Sequence, residues 1–226
     1  MDVPRTPHRW SVTPTQARAI QQRLAPLVRQ APLHGVPRLV AGLDAAFSSD
    51  DGLCLAAAVV WDLREHRVIE QHVAVRRLTF PYVPGLLSFR EGPALLAALR
   101  QVRTPPDVLL CDGHGRAHPR RFGIACHIGV LLNLPTIGCA KSRLIGTHHQ
   151  PGPRRGSVTA LRDGGEVIGS VLRTQDGTNP VFVSIGHLID LRAAQRIVLA
   201  CAPRYRLPEP TRLADQVVGA AKRAMQ

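Results

Sequence analysis

The sequence predicts a mixed α/β fold: one β-sheet with antiparallel and parallel strands, flanked by helices. Three observations predict it. Residues 38–46, 53–61 and 67–75 read as strands joined by short connections, an antiparallel meander. From residue 93 the order becomes helix, strand, helix, strand, which pairs strands in parallel. The 226 residues are 45% apolar, enough for one layered core and a single domain over 1–226.

In chain order, residues 14–30 place Ala17, Ile20, Leu24, Leu27 and Val28 at helical spacing, with Thr13 as cap and Pro26 as kink or stop. The runs 38–46 (RLVAGLDAA) and 53–61 (LCLAAAVVW) are separated by the turn signal SSDDG. Prolines 81, 84 and 93 make TFPYVPGLLSFREGP a loop, after which 93–102 is a helix with Leu95, Leu96, Leu99 and Val102 on one side. DVLLCD (107–112) reads as a buried strand, 121–132 as an amphipathic helix and 135–140 as a strand. Residues 146–165 have little periodicity and read as an exposed loop; 166–174 and 180–186 read as a hairpin. Asp190 caps a helix through Cys201, and Thr211 caps a last helix that packs Leu213, Val217, Val218 and Ala221.

The formal charge is +13, with 29 Lys and Arg against 16 Asp and Glu, and Lys141 and Lys222 are the only lysines. Such a basic chain suits a polyanionic partner, although a merely solvated basic surface has the same composition. Five cysteines without C-x-x-C spacing argue against a disulfide framework and a zinc site. No apolar run is long enough to span a bilayer, and the first residues lack the apolar core of a secretory signal. The expectation is a soluble, cytoplasmic protein.

Asp44 and Asp112 each follow an apolar run, where a carboxylate is costly without a partner, a cation or solvent. Either alone reads better as a turn or capping Asp. Together, on strands that could be neighbours, they would repel, and a divalent cation removes the conflict. Oxygen ligands select Mg²⁺ or Mn²⁺. Glu91 could close a capping box with Ser88, but Pro93 fits that helix start poorly, which frees Glu91 as a third ligand. DGHGRAHPRRFG (112–123) crowds His114, Arg116, His118, Arg120 and Arg121 beside Asp112, and the three arginines read as phosphate contacts. That combination suits phosphodiester hydrolysis better than a basic surface loop. Lys141 could neutralise a phosphate, or simply end a strand. Tyr82, stiffened by Pro81 and Pro84 in PYVPG, could enter a base stack or pack over the sheet rim.

These segments resemble bacterial endonuclease V, the deoxyinosine-directed endonuclease family. The matches are AGLDAAF (41–47), PYVPGLLSFREGPALLAAL (81–99), DGHGRAHPRRFGIACHIGV (112–130), PTIGCAKSRLIG (135–146), SIGHLIDLRAA (184–194) and YRLPEPTRLAD (205–215). The resemblance implies a ribonuclease H-like fold and Mg²⁺-dependent cleavage, with Mn²⁺ as a substitute. It implies a cut at the second phosphodiester bond 3′ to the lesion, leaving 3′-hydroxyl and 5′-phosphate ends. By motif it implies Asp44, Glu91 and Asp112 as metal-binding carboxylates, and His118 and Lys141 as catalytic basic residues. It further implies Tyr82, with Pro81, Val83 and Pro84, as a strand-separating wedge. Gly85, Leu87, Gly113, Gly123, Ile124 and Leu144 fall in motifs of the hypoxanthine pocket. Asp215 stands where some relatives have His, as a ligand or a supporting residue. The implied partner is inosine-containing DNA or RNA, acted on by a monomer. Alternatives are another ribonuclease H-like nuclease or a non-catalytic nucleic-acid-binding module.

Overall fold

The computed structural model describes residues 1–33, 35–48 and 52–225. Its core is an eight-stranded mixed sheet. β1 (Leu39–Ser48), β2 (Leu53–Asp62) and β3 (Arg67–Arg77) form the expected antiparallel meander. Most of the SSDDG turn, residues 49–51, lies outside the described residues. β4 (Val108–Cys111) pairs parallel with β1, and β5 (Thr136–Ala140) pairs parallel with β4. β6 (Val158–Asp163), β7 (Glu166–Leu172) and β8 (Val181–His187) complete the order β3-β2-β1-β4-β5-β8-β7-β6.

Alternate residues of a strand face opposite sides of the sheet, and the core divides accordingly. Ala56, Ala58 and Val60 of β2 pack with α2 (Leu87–Gln101) and α3 (Ile124–Leu132). Leu55, Ala57 and Val59 pack on the other side with α5 (Glu209–Arg223). α4 (Leu191–Ala200) covers β8 on that second side, through Ala193, Ala194, Ile197 and Val198. α1 (Pro14–Leu24) closes the α2/α3 side through Ala17, Ile20 and Leu24. Its start is the expected one: Thr13 and Gln16 form a reciprocal capping box. Asp190 caps α4 by accepting from the Ala193 N–H at 2.7 Å.

Four expectations are corrected. α2 begins at Leu87, not residue 93, and runs through Pro93. The lost hydrogen bond is outweighed by burial of Phe89, Leu95, Leu96 and Leu99, since packing decides helices of this kind more than propensity does. Ser88 is therefore inside the helix, and no side chain caps α2. α3 begins at Ile124, after Arg121 in a left-handed backbone conformation. α5 begins at Glu209, because Pro210 is preset for a first helical turn, and the Thr211 hydroxyl donates to the Pro208 carbonyl at 3.0 Å. Finally, 158–163 is a strand, not loop. It is an edge strand burying only Leu161, so it carries no clean alternation. Gly164 (φ 58°) and Gly165 (φ 81°) make the two-residue turn into β7.

Candidate active site

The parallel register of β1 and β4 brings the first two carboxylates together. Leu43 pairs with Cys111, and the Asp112 N–H donates to the Leu43 carbonyl at 3.0 Å. Asp44 is thus the next residue along from the last paired position, beside Asp112. Asp44 is not at a strand end, because β1 continues to Ser48; it is β4 that stops. Gly42, two residues earlier, faces α5 so closely that a Cβ would stand 2.1 Å from the Pro210 carbonyl carbon. Asp44 shares that face. Lys141, directly after β5, reaches Asp112 with Nζ–Oδ2 2.6 Å. Burial, then the Asp112 charge, push Asp44 up to about 7, against the Ala45 N–H and Lys141, which pull it down. Asp215 on α5 is close enough to add to the repulsion. Glu91 approaches from α2; burial, then Asp44 and Asp112, raise it well above the usual carboxylate range. Among the described residues no three His, Cys, Asp or Glu side chains close on one point as a finished metal cage. The carboxylates instead form a repelling cluster with Lys141 as its cation.

Beside this cluster is a cavity of about 140 Å³. Its walls include Gly85, Leu87, Gly113, Gly123, Ile124 and Leu144, together with Tyr82, Val83 and Pro84. α2 and α3 both start at this cavity, and neither N-terminus has a side-chain cap. Helix N-termini present unpaired N–H groups and a positive dipole end. The cavity mouth carries Tyr82, 71% exposed, so the sheet-rim packing reading of this residue fails.

An endonuclease V family model matches residues 22–216. Endonuclease V from Roseiflexus sp. (strain RS-1) is 54% identical over 206 residues, covering 91% of this chain and 92% of that protein. The crystal structure of endonuclease V from Streptomyces avermitilis superposes with a TM-score of 0.92 at 45% identity, covering both chains fully. Ciona intestinalis endonuclease V, solved in complex with a 24mer DNA containing an inosine followed by a ribo-adenosine, gives a TM-score of 0.82 at 26% identity, covering 94% of this chain and 98% of that one. The chain belongs to the endonuclease V family. Its fold is ribonuclease H-like, and it is a hydrolytic nuclease acting on DNA. Nucleases of the endonuclease V family are generally metal-dependent. No described helix is long and apolar enough to cross a membrane.

Within this endonuclease V scaffold the basic residues of the 112–123 segment differ from expectation. Arg116, Arg120 and Arg121 each already have protein partners. Arg116 pairs with Glu166; Arg121 pairs with Asp163 (2.8 Å) and Glu166 (2.7 Å) on the two sides of the β6–β7 turn. Arg120 Nε donates to Gln21 Oε1 at 2.6 Å and its Nη2 to the Gly85 carbonyl at 2.8 Å. His118 is likewise engaged within the protein. Its Nε2 donates to the Gly85 carbonyl at 2.9 Å, and its Nδ1 accepts from the Arg120 N–H at 3.2 Å. Burial above all, opposed by that Gly85 bond, pushes it down to about 4, so the ring is neutral at pH 7. It positions the pocket wall.

Gln21 is the residue that sequence reasoning missed. It is 1% exposed, and its Nε2 donates to the carbonyls of Gly85 (3.1 Å) and Phe122 (3.0 Å). The Gly85 carbonyl therefore accepts from Gln21, His118 and Arg120, which fixes the 81–85 loop against the cavity. The signal was available: Gln21 is a polar residue on the apolar stripe of Ala17, Ile20 and Leu24. His114 and Ser88 also line the cavity.

Proposed function

We propose that this chain, acting as a monomeric single domain, hydrolyses the second phosphodiester bond 3′ to deoxyinosine in a Mg²⁺-dependent reaction, leaving 3′-hydroxyl and 5′-phosphate ends. One observation carries the reading. A cavity lined by segments far apart in sequence, with an exposed aromatic at its mouth, adjoins the Asp44/Asp112 pair. The inosine-containing DNA bound by the Ciona relative supports it.

The residues present fit a divalent cation. Asp44 and Asp112 are hard oxygen donors set side by side, and the burial and mutual repulsion that push Asp44 and Glu91 up are both costs a cation relieves. Asp44 and Asp112 would hold it, with Glu91 and Asp215 beside them. When bound, Mg²⁺ or Mn²⁺ supplies Lewis acidity toward the phosphoryl oxygen and the attacking water. Lys141 keeps Asp112 oriented and offsets charge developing on the phosphoryl group. The lesion base turns out of the stack into the cavity, and Tyr82 fills the gap it leaves. First-turn N–H groups of α2 and α3, other than those of Phe89 and Ala125, which already donate to the Leu86 and His114 carbonyls, donate to the base carbonyl. Hypoxanthine has that carbonyl where adenine has an amino group, and an amino group would leave the donors unpaired. His118, Gln21 and Arg120 hold the wall in place.

The ribo-adenosine after the inosine in the Ciona complex favours one second reading, action on inosine-containing RNA. Matched oligonucleotides with deoxyinosine, riboinosine or no lesion, with and without Mg²⁺, test both. Mg²⁺-dependent cleavage of the deoxyinosine strand alone supports the first reading. Cleavage of the riboinosine strand alone supports the second, and lesion-independent cleavage overturns both.

A further inference from the structure

The chain has two tyrosines, and both are exposed, Tyr82 by 71% and Tyr205 by 51%. Tyr82 stands on the α2/α3 side of the sheet, at the cavity. Tyr205 lies between α4 and α5, the helices of the other side. The Arg212 guanidinium sits 4.4 Å from the Tyr205 ring centroid. Arg212 is itself held by Glu209, Nε to Oε2 at 2.8 Å, so it braces the ring more than it adds free charge.

Two connections tie the Tyr205 loop to the carboxylate cluster. Arg206, its neighbour, donates from Nη2 to the Lys141 carbonyl at 2.9 Å and from Nε to the Asn179 carbonyl at 2.7 Å. The loop is thereby fastened to the residue whose ammonium holds Asp112. Arg212 and Asp215 are also about one turn apart on α5, roughly 4.5 Å along its axis. Asp215 is near enough to act on Asp44. Arg204, in the same loop, and Arg143, two residues after Lys141, are exposed. Among the described residues neither is in an ion pair. A braced aromatic ring, with one arginine outside any ion pair in its own loop and another just beyond Lys141, is the chemistry that holds a nucleic-acid strand.

We infer that Tyr205, braced by Arg212, with Arg204 in its own loop and Arg143 just beyond Lys141, is a stacking platform for nucleotides of the cleaved strand on the 3′ side of the scissile bond. This rests on the function proposed above. With the lesion base in the cavity and the scissile bond at the carboxylates, the strand crosses from the α2/α3 side and leaves over Tyr205.

The test uses the full chain in EDTA, with single strands sharing one 5′ half and one inosine. Their 3′ arms end at about one to five nucleotides beyond the scissile bond. Wild-type affinity should rise about tenfold as the arm lengthens. Tyr205→Ala should remove that gain and keep the wild-type preference for inosine over adenine on the shortest strand. Tyr205→Phe should retain the gain. The Arg143→Ala/Arg204→Ala variant should lower the salt slope on the longest strand by about 0.7 for each phosphate no longer neutralised, and it stands as the test if Tyr205→Ala unfolds. A Tyr205→Ala protein that keeps its melting temperature and the gain overturns the platform. So does a wild-type affinity independent of arm length. Loss of inosine preference in wild type on every strand strikes the proposed function instead, since the arm effect needs no lesion.

Discussion

Alanine at Gly138 tests how the sheet carries the pocket. Gly138 lies in β5, and its missing side chain lets the 112–115 segment rest on the strand. A Cβ there would stand 2.4 Å from the Gly115 nitrogen, and 2.7 Å from both the Gly113 oxygen and the His114 carbonyl carbon. All three are backbone atoms, so no rotamer change relieves the clash, and the segment must retreat by about 1 Å. Overpacking of this kind costs about 1–3 kcal/mol. The retreat also moves Asp112 and the pocket wall, and a shift of about 1 Å at a reacting geometry can cost roughly a hundredfold in rate. Gly219 in α5 is the control, because a Cβ there meets only Arg223 Nη1, at an ordinary 3.5 Å. Gly219→Ala should stabilise by up to about 1 kcal/mol through helix propensity. Urea unfolding and the cleavage rate on a deoxyinosine duplex read both effects. Gly138→Ala should lower the midpoint and slow cleavage about a hundredfold; Gly219→Ala should raise the midpoint and leave cleavage alone. A Gly138→Ala enzyme as stable and as active as wild type would refute the reasoning.

Tyr82→Ala should weaken binding to an inosine duplex by about one to two powers of ten, with less loss on a single strand and little effect from Tyr82→Phe; equal losses on both substrates with a lowered melting temperature would mean the ring packs instead of wedging. Arg116→Ala/Arg121→Ala should leave the slope of log K against log salt unchanged, because both side chains already pair with Asp163 and Glu166; a fall of about 0.9 per arginine would restore them as phosphate contacts. His118 is held neutral, down to about 4 from its ordinary 6.5, so its contribution to stability is fully present above pH 6.5 and is lost as pH falls towards 4. Compared with wild type in urea unfolding, His118→Gln should lose less stability over that window, by about 1.4 kcal/mol per pH unit; parallel profiles would show that the ring charges freely in the fold.

The sheet was legible because its central strands are buried on both sides and its meander is bounded by turn residues. Edge strand β6 was not, since one buried side chain, Leu161, gives no period; the Gly164–Gly165 pair was the better signal. The start of α2 was misplaced by trusting Pro93 as a barrier, when Phe89, Leu95 and Leu96 bury enough surface to carry the helix past it. Asp44, Asp112 and Lys141 were readable because each follows a buried run. The commitments of Arg116, Arg120 and Arg121 were not, because their partners Glu166, Asp163, Gln21 and the Gly85 carbonyl are remote in sequence and two of them sit on the unrecognised β6–β7 hairpin. His118 reads as a cation in a basic segment; only its burial and its two ring hydrogen bonds make it neutral.

The central claim is that Asp44 and Asp112 carry the chemistry while the separate cavity carries recognition. The direct measurement is single-turnover cleavage of a deoxyinosine duplex in Mg²⁺ by Asp44→Asn and Asp112→Asn, with affinity for the same duplex measured in parallel. Both variants should retain inosine-selective binding close to wild type and lose cleavage, because positioning and chemistry use different groups. Near-native turnover by either variant would contradict the claim for that residue.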